Sequence, residues 1–225
     1  MNRTALVTGA AQGIGAAIAE RLRADGWDVH AVDLADGDLS TREGNRAVVD
    51  ATLERFEGRL DAVVANAGFQ HVAPVRDFDE DRWDALQAVL LRSPFLLAKY
   101  AWDALAASGD GRFCVVASVH GLVASPFKAG YVAAKHGVLG LVKVLALEGA
   151  EVGISASALC PAYVRTDLAE RQLAERGADD LLAPQAVKRL LEPGEVAAAA
   201  SFLLGPDGRA VTGTPFLLDL GWTSR

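Results

Sequence analysis

Thr4-Ala5-Leu6-Val7-Thr8-Gly9-Ala10-Ala11-Gln12-Gly13-Ile14-Gly15 is the stretch that decides the fold. Its first five residues are a short apolar run, the pattern of a strand buried on both faces. Glycines follow, and Gly13 to Asp25 reads as a helix. A strand, a Gly-rich turn and a helix in that order open a dinucleotide-binding unit. Gly9 permits the sharp turn. Gly13 lets backbone approach a pyrophosphate, and Gly15 lets the helix pack tightly on the strand. Gln12 and Ile14 belong to the same turn, where the helix N-terminus offers free N–H groups and a positive dipole end to phosphate.

Strand-like and helix-like segments alternate along the rest of the chain. Further strands are expected at Trp27–Asp33, Arg46–Asp50, Leu60–Asn66, Arg112–Ser118, Ile154–Cys160 and Thr214–Leu218. Apolar strands separated by helices predict a parallel sheet covered on both faces. The expected fold is therefore α/β: one Rossmann-type doubly wound parallel sheet of about seven strands. Its ligand crevice would lie outside the carboxyl ends of the strands. The segment after the second strand, LADGDLSTREGN, holds only twelve residues before Arg46. It reads as a loop, so the fold is shortened there and a crossover helix is expected to be missing. Residues 164–192 are charged, helical in character and far from any strand, which suits a lid. No repeat or linker interrupts the chain, and 1–225 is expected to be a single dinucleotide-binding catalytic domain.

Composition narrows the function. The chain has 225 residues, 51% of them apolar, and a formal net charge of -7. That charge repels phosphate backbones and argues against nucleic acid as partner. Cys114 and Cys160 sit in apolar runs and read as reduced core residues. The N-terminus runs straight into a strand without the apolar region of a signal peptide. No 18-residue apolar span is free of charge, so no membrane helix is expected. A cytoplasmic location follows. No cluster of His, Cys or carboxylates has metal-ligand spacing, so no metal is expected. His30, His71 and His136 read as structural.

Asp33 ends the second predicted strand. A carboxylate there can accept from ribose hydroxyls and repel a 2′-phosphate, which favours NAD over NADP. Arg42 and Arg46 follow and offer an alternative partner for such a phosphate.

The turn TGxxxGIG resembles that of the short-chain dehydrogenase/reductase family. So do Asn66-Ala67-Gly68 at a strand end, Ser118 at the next, and Tyr131 followed by Lys135 in a YxxxK spacing. Pro161-Ala162-Tyr163-Val164-Arg165-Thr166 resembles the family segment that lines the nicotinamide, with Ala162 in place of a glycine. The resemblance spans almost the whole chain. It implies that Ser118, Tyr131 and Lys135 are catalytic. It also implies that Gly9, Gln12, Gly13, Ile14, Gly15, Asp33, Asp50, Asn66, Ala67, Gly68, Tyr131, Lys135, Pro161, Val164 and Thr166 bind cofactor. The chemistry is coherent. Tyr131 and Lys135 are four apart and share a helix face. An ammonium near the phenol, with the positive ring of an oxidised nicotinamide, is expected to lower the Tyr131 pKa. Tyr131 then serves as general base on an alcohol or general acid toward a carbonyl, and Ser118 stabilises charge on the same oxygen. One position departs. The family carries an Asn seven residues after the Trp of a Trp-Asp pair; Trp83-Asp84 is followed there by Leu90, which cannot support a proton relay through water.

The stretch Ser118 to Tyr131, YVAAKHGVLG from Tyr131, KRLLE at Lys188 and Gly221-Trp222 resemble the D-3-hydroxybutyrate dehydrogenases within that family. This implies a short hydroxy acid bound by Gln70, His120, Lys128 and Gln172, together with Ser118 and Tyr131. Leu220 stands where those proteins carry a glycine. Two other readings stay open: a reductase of another ketone or 3-oxoacyl group, and a cofactor-binding scaffold without turnover. The helix from Tyr131 keeps apolar residues beyond one stripe (Val138, Leu139, Leu141, Val142, Val144, Leu145, Leu147), as a helix buried on a second side in a dimer or tetramer would.

Overall fold

In the computed structural model, which describes residues 2–224, six parallel strands form one sheet in the order β2-β1-β3-β4-β5-β6. The strands are β1 (Thr4–Thr8), β2 (Asp28–Val32), β3 (Ala62–Ala65), β4 (Gly111–Val116), β5 (Ile154–Pro161) and β6 (Pro215–Leu218). Alternation along each strand builds two cores. Leu6, Val63, Phe113 and Val115 point to one face, where α4 (Ser93–Ala107) and α5 (Ala129–Ala150) cover them. Ala5, Val7, Val64 and Cys114 point to the other, under α1 (Gly13–Ala24) and α8 (Pro193–Leu204). Both cysteines are free and buried. Strand order reverses direction at β1, so the connections that leave β1 and β3 run to opposite faces of the sheet and open a crevice above the strand ends.

The sequence reading errs at one strand. Arg46–Asp50 is not a strand but the middle of α2 (Arg42–Arg55). Thr41 caps this helix by accepting the Gly44 N–H at 3.0 Å, and Val48, Val49 and Thr52 are buried at helical spacing. The element lost between β2 and β3 is therefore a strand, not the crossover helix. Helix α2 carries the chain back over β1, and β2 is left as the sheet edge.

Two further features shape the crevice. Between α3 (Glu80–Gln87) and α4 lies one π-helical turn, Ala88–Arg92, which carries Leu90. After β5 the chain leaves the sheet for α6 (Asp167–Arg176) and α7 (Ala178–Leu181) and returns beside its own departure point. There the Arg165 N–H donates to Leu191 O at 2.7 Å and the Leu191 N–H to Tyr163 O at 2.8 Å. Helix α5 is long and apolar enough to cross a membrane, with mean hydropathy 1.3. Here it packs on β5 and buries Val138, Leu139, Val142 and Leu145 in the core, while Val144 and Leu147 stay exposed.

Candidate active site

A cleft of about 1100 Å³ runs along the carboxyl ends of the strands, from the Gly-rich turn to the base of α6. The turn could hold no larger residues. Gly9 has φ +64°, and a Cβ on it would stand 2.7 Å from Ala67 Cα. A Cβ on Gly15 would strike Gly9 O at 2.1 Å; Gly15 thus sets the packing and does not line the cleft. Gly13, with φ +59°, faces the Thr166 methyl across it. No side chain caps α1, so the N–H groups of its first turn are open to an anion. Asn66 locks the two strand ends together, donating to Thr8 O at 2.9 Å and Gly9 O at 3.0 Å. This cradle fits a dinucleotide's phosphates.

Asp33 closes the next part of the wall. Its carboxylate accepts the Ala11 N–H at 2.9 Å and the Leu34 N–H at 2.8 Å, which holds the negative charge at the ribose end. Beyond it the cleft is lined by Gly37, Asp38, Leu39 and Ser40. Asp50, by contrast, is exposed on α2 and does not line the cleft. Its assignment fell with the third strand, and Asp38 is the carboxylate at that end. Hydrogen bonds from Ser40 hold the Asp38 carboxyl below its ordinary range. Arg42 and Arg46 do not reach the cleft; Arg46 lies 4.0 Å from the centroid of the Tyr100 ring.

Ser118, Tyr131 and Lys135 converge at the middle of the cleft. Ser118 follows β4 in extended backbone, and Tyr131 and Lys135 occupy the first turns of α5. The side chains of Ser118 and Gln70 lie beside the Tyr131 hydroxyl and favour its ionised form. Lys135 donates to Val116 O at 2.7 Å, and its nitrogen lies 5.6 Å from the centroid of the Tyr131 ring. Burial pushes the Lys135 pKa down to about 8. The expectation of a lowered Tyr131 pKa is not met in the chain alone. Burial raises it, and the nearby Ser118 and Gln70 side chains offset only part of the rise.

Leu90 is buried behind Tyr131 with Leu86 and Ala134. Its Cδ2 would stand 2.8 Å from a Cβ on Gly68, so a larger residue there would push the Leu90 side chain aside. Ala67, Pro161, Val164 and Thr166 line the cleft. Ala162 is not among the residues with positive φ and fits without strain.

At the far end, the Gln172 amide donates to Gln70 Oε1 at 3.2 Å. His120 is buried, with Nδ1 3.4 Å from Ser118 Oγ and Nε2 2.8 Å from Ser125 Oγ. Burial, then Lys128 and His136, push its pKa to about 3, so the imidazole is neutral. Lys128 does not itself line the cleft. It is buried, with its nitrogen 3.5 Å from Tyr163 Oη, and Tyr163 does line it. Sequence reasoning missed Tyr163 and Trp222, whose rings surround His120 at 6.5 and 5.4 Å. Trp222 is held there by a turn in which Asp219 accepts from Gly221 and Thr223. Leu220 adopts φ +52° in that turn, the conformation a glycine takes more easily. The other histidines stand apart from the reacting centre. His30 Nδ1 meets Thr52 Oγ1 at 2.8 Å, His71 packs edge-on against Phe78, and His136 Nδ1 meets Val132 O at 3.0 Å.

Comparison with known proteins agrees with this geometry. A family model described as short chain dehydrogenase matches residues 3–36, and one described as Enoyl-(Acyl carrier protein) reductase matches residues 35–223. The two meet in the loop after β2, where the strand is lost. A D-beta-hydroxybutyrate dehydrogenase of Rhizobium meliloti (strain 1021) is 36% identical over 259 aligned positions, covering 100% of both chains. One of Cupriavidus necator is 36% identical over 99% of this chain and 98% of its own. An acetoacetyl-CoA reductase of Rhizobium meliloti is 34% identical over 95% of each. With its Gly-rich cradle, its Ser118, Tyr131 and Lys135 at the switch point, and these matches over its length, the chain belongs to the short-chain dehydrogenase/reductase family.

Proposed function

We propose that this chain is an NAD-dependent dehydrogenase of a small hydroxy acid, interconverting (R)-3-hydroxybutyrate and acetoacetate. The observation that carries the reading is the convergence of Ser118, Tyr131 and Lys135 in one cleft, beside a polar end formed by Gln70, His120 and Gln172. In this reading 1–225 act as one catalytic domain and 164–192 close over the substrate.

The cradle at Gly9, Gly13 and α1 would hold the pyrophosphate, Asp33 the adenosine ribose, and Lys135 the nicotinamide ribose. Asp33 favours NAD because its carboxylate would meet a 2′-phosphate as a like charge. A bound oxidised nicotinamide supplies the hydride acceptor and a positive charge near the phenol. Tyr131 takes the hydroxyl proton of the alcohol, or returns one to the ketone. Ser118 donates to the same oxygen as charge develops. Gln70 and Gln172 orient the substrate carboxylate, and Lys128 behind Tyr163 adds positive potential. Reduction of another ketone, above all the 3-keto group of a 3-oxoacyl thioester, is the second reading, favoured by the match to an acetoacetyl-CoA reductase. We further propose self-association through the exposed apolar face of α5 at Val144 and Leu147; light scattering of the native particle tests it.

The test is NADH formation from NAD and (R)-3-hydroxybutyrate, with the S enantiomer, NADP and acetoacetyl-CoA as comparisons. The reading expects R-selective, NAD-linked turnover that Tyr131→Phe lowers by about 10²- to 10⁴-fold. NADPH-linked reduction of acetoacetyl-CoA at its ketone, with no turnover of the free acid, would replace it with the second reading.

A further inference from the structure

We infer that the substrate's proton reaches solvent through Ser118, His120 and Ser125 rather than past Lys135. The inference rests on the dehydrogenase reading above.

On the Lys135 side no hydrogen-bonded side chain carries a proton onward. Lys135 is buried, and its nitrogen donates to a carbonyl, Val116 O. A carbonyl accepts a hydrogen bond but passes no proton on. Behind the phenol, Leu86, Leu90 and Ala134 form a buried apolar wall, so a water there would lack the polar partners it needs.

The other side is connected. Ser118 and Tyr131 line the cleft together, and the Ser118 side chain favours the ionised phenol beside it. Ser118 Oγ also accepts the His120 backbone N–H at 3.1 Å. Its own hydrogen can then point to His120 Nδ1 at 3.4 Å. On the far side of the ring, Nε2 meets Ser125 Oγ at 2.8 Å. Ser125 is half-buried between exposed Ala124 and Pro126, at the surface of the loop before α5. A neutral imidazole suits this chain, because it accepts at one nitrogen and donates from the other. The charged and titratable groups facing it are Lys128 and His136, both disfavouring imidazolium, and the Tyr131 and Tyr163 rings. Burial and the Lys128 charge favour transfer without a resting charge on the ring.

The protons balance. In the oxidative direction Tyr131, having taken the alcohol's proton, gives one to Ser118 Oγ. Ser118 gives its own to Nδ1, Nε2 gives one to Ser125 Oγ, and Ser125 releases one to water. Each group ends with the number it began with. The imidazole ends as its other tautomer, which hydroxyl reorientation and solvent exchange reset. Reduction runs the same path in reverse.

Ser125 touches neither the reacting atoms nor the cradle, so it is the link to cut. The experiment compares wild type, Ser125→Ala and Ser125→Thr for kcat, KM and solvent deuterium isotope effect across pH, with and without added imidazole. The expected result for Ser125→Ala is a kcat lowered by about tenfold, within the range that proton transfer contributes. KM should be unchanged, the isotope effect larger, and kcat restored by imidazole; Ser125→Thr should behave as wild type. An unchanged kcat in Ser125→Ala overturns the relay, and so does a loss that imidazole does not restore. Wild type that binds NADH but turns over no alcohol or ketone overturns the dehydrogenase reading and the relay with it. Wild-type turnover with an indifferent Ser125→Ala overturns the relay alone.

Discussion

Gln172 on α6 donates to Gln70 on the loop after β3 at 3.2 Å, across 102 residues of chain. Gln70 in turn lies beside the Tyr131 hydroxyl and favours its ionised form. The segment that leaves the sheet at Tyr163 is thereby linked to the surroundings of Tyr131, the proposed base. A side chain on that segment can report substrate occupancy to the reacting centre without touching it.

This coupling predicts the behaviour of Gln172→Ala. Gln172 is half-buried on α6, a helix whose one buried residue is Ala169, so the fold should tolerate the change. A lost hydrogen bond to a carboxylate costs about 1.5–3 kcal/mol. The expected outcome is a KM for hydroxybutyrate raised by about 10- to 100-fold, with kcat lowered far less. Initial-rate kinetics check it, and an unchanged KM would remove Gln172 from the substrate site.

Asp33→Ser separates two jobs of one carboxylate. The change removes the like charge that a 2′-phosphate would meet, so the ratio of NADP-linked to NAD-linked kcat/KM should rise by at least about tenfold. It also removes the acceptor for the Ala11 and Leu34 N–H groups. Both sit at the surface, where water replaces much of the loss, so the destabilisation should be about 1 kcal/mol. Kinetics with both cofactors and a thermal melt check the two parts independently. A ratio that stays flat would show that selectivity resides elsewhere in the loop from Leu34 to Ser40.

What was legible in the sequence was local. The turn from Thr8 to Gly15 and the pair Tyr131 and Lys135 are read from spacing, because one turn or one helix face fixes their geometry. Residues 46–50 failed because RAVVD alone suits a strand as well as a helix. The longer pattern, with Thr41 as cap and apolar side chains at 48, 49, 53 and 56, marks α2 once it is read over the full fourteen residues. The error spread: Asp50 was assigned to the cleft in place of Asp38. Tyr163 and Trp222 around His120 were beyond reach, since their placement comes from packing between distant segments. The raised pKa of Tyr131 was missed for a related reason. Spacing reveals the neighbouring Lys135, whereas burial, the larger effect, belongs to the folded chain.

Lys128 supplies the prediction in which pH has a definite sign. Burial, and then the nearby Arg176, push its pKa from 10.5 down to about 8. The ammonium is therefore present below about pH 8 and lost above it, well before an ordinary lysine would titrate. If that charge favours an anionic substrate, KM for hydroxybutyrate should begin to rise above about pH 8, by up to about tenfold per pH unit. A bound carboxylate would raise the Lys128 pKa and delay the rise without changing its sign. Lys135 titrates in the same range, but it acts on any alcohol. The ratio of kcat/KM for hydroxybutyrate to that for a neutral secondary alcohol cancels its effect. That ratio should fall from about pH 7.5 to about pH 9.5 in wild type, and should be low and flat in Lys128→Met. A ratio in wild type that does not change with pH would show that Lys128 serves only to pack Tyr163 against the site.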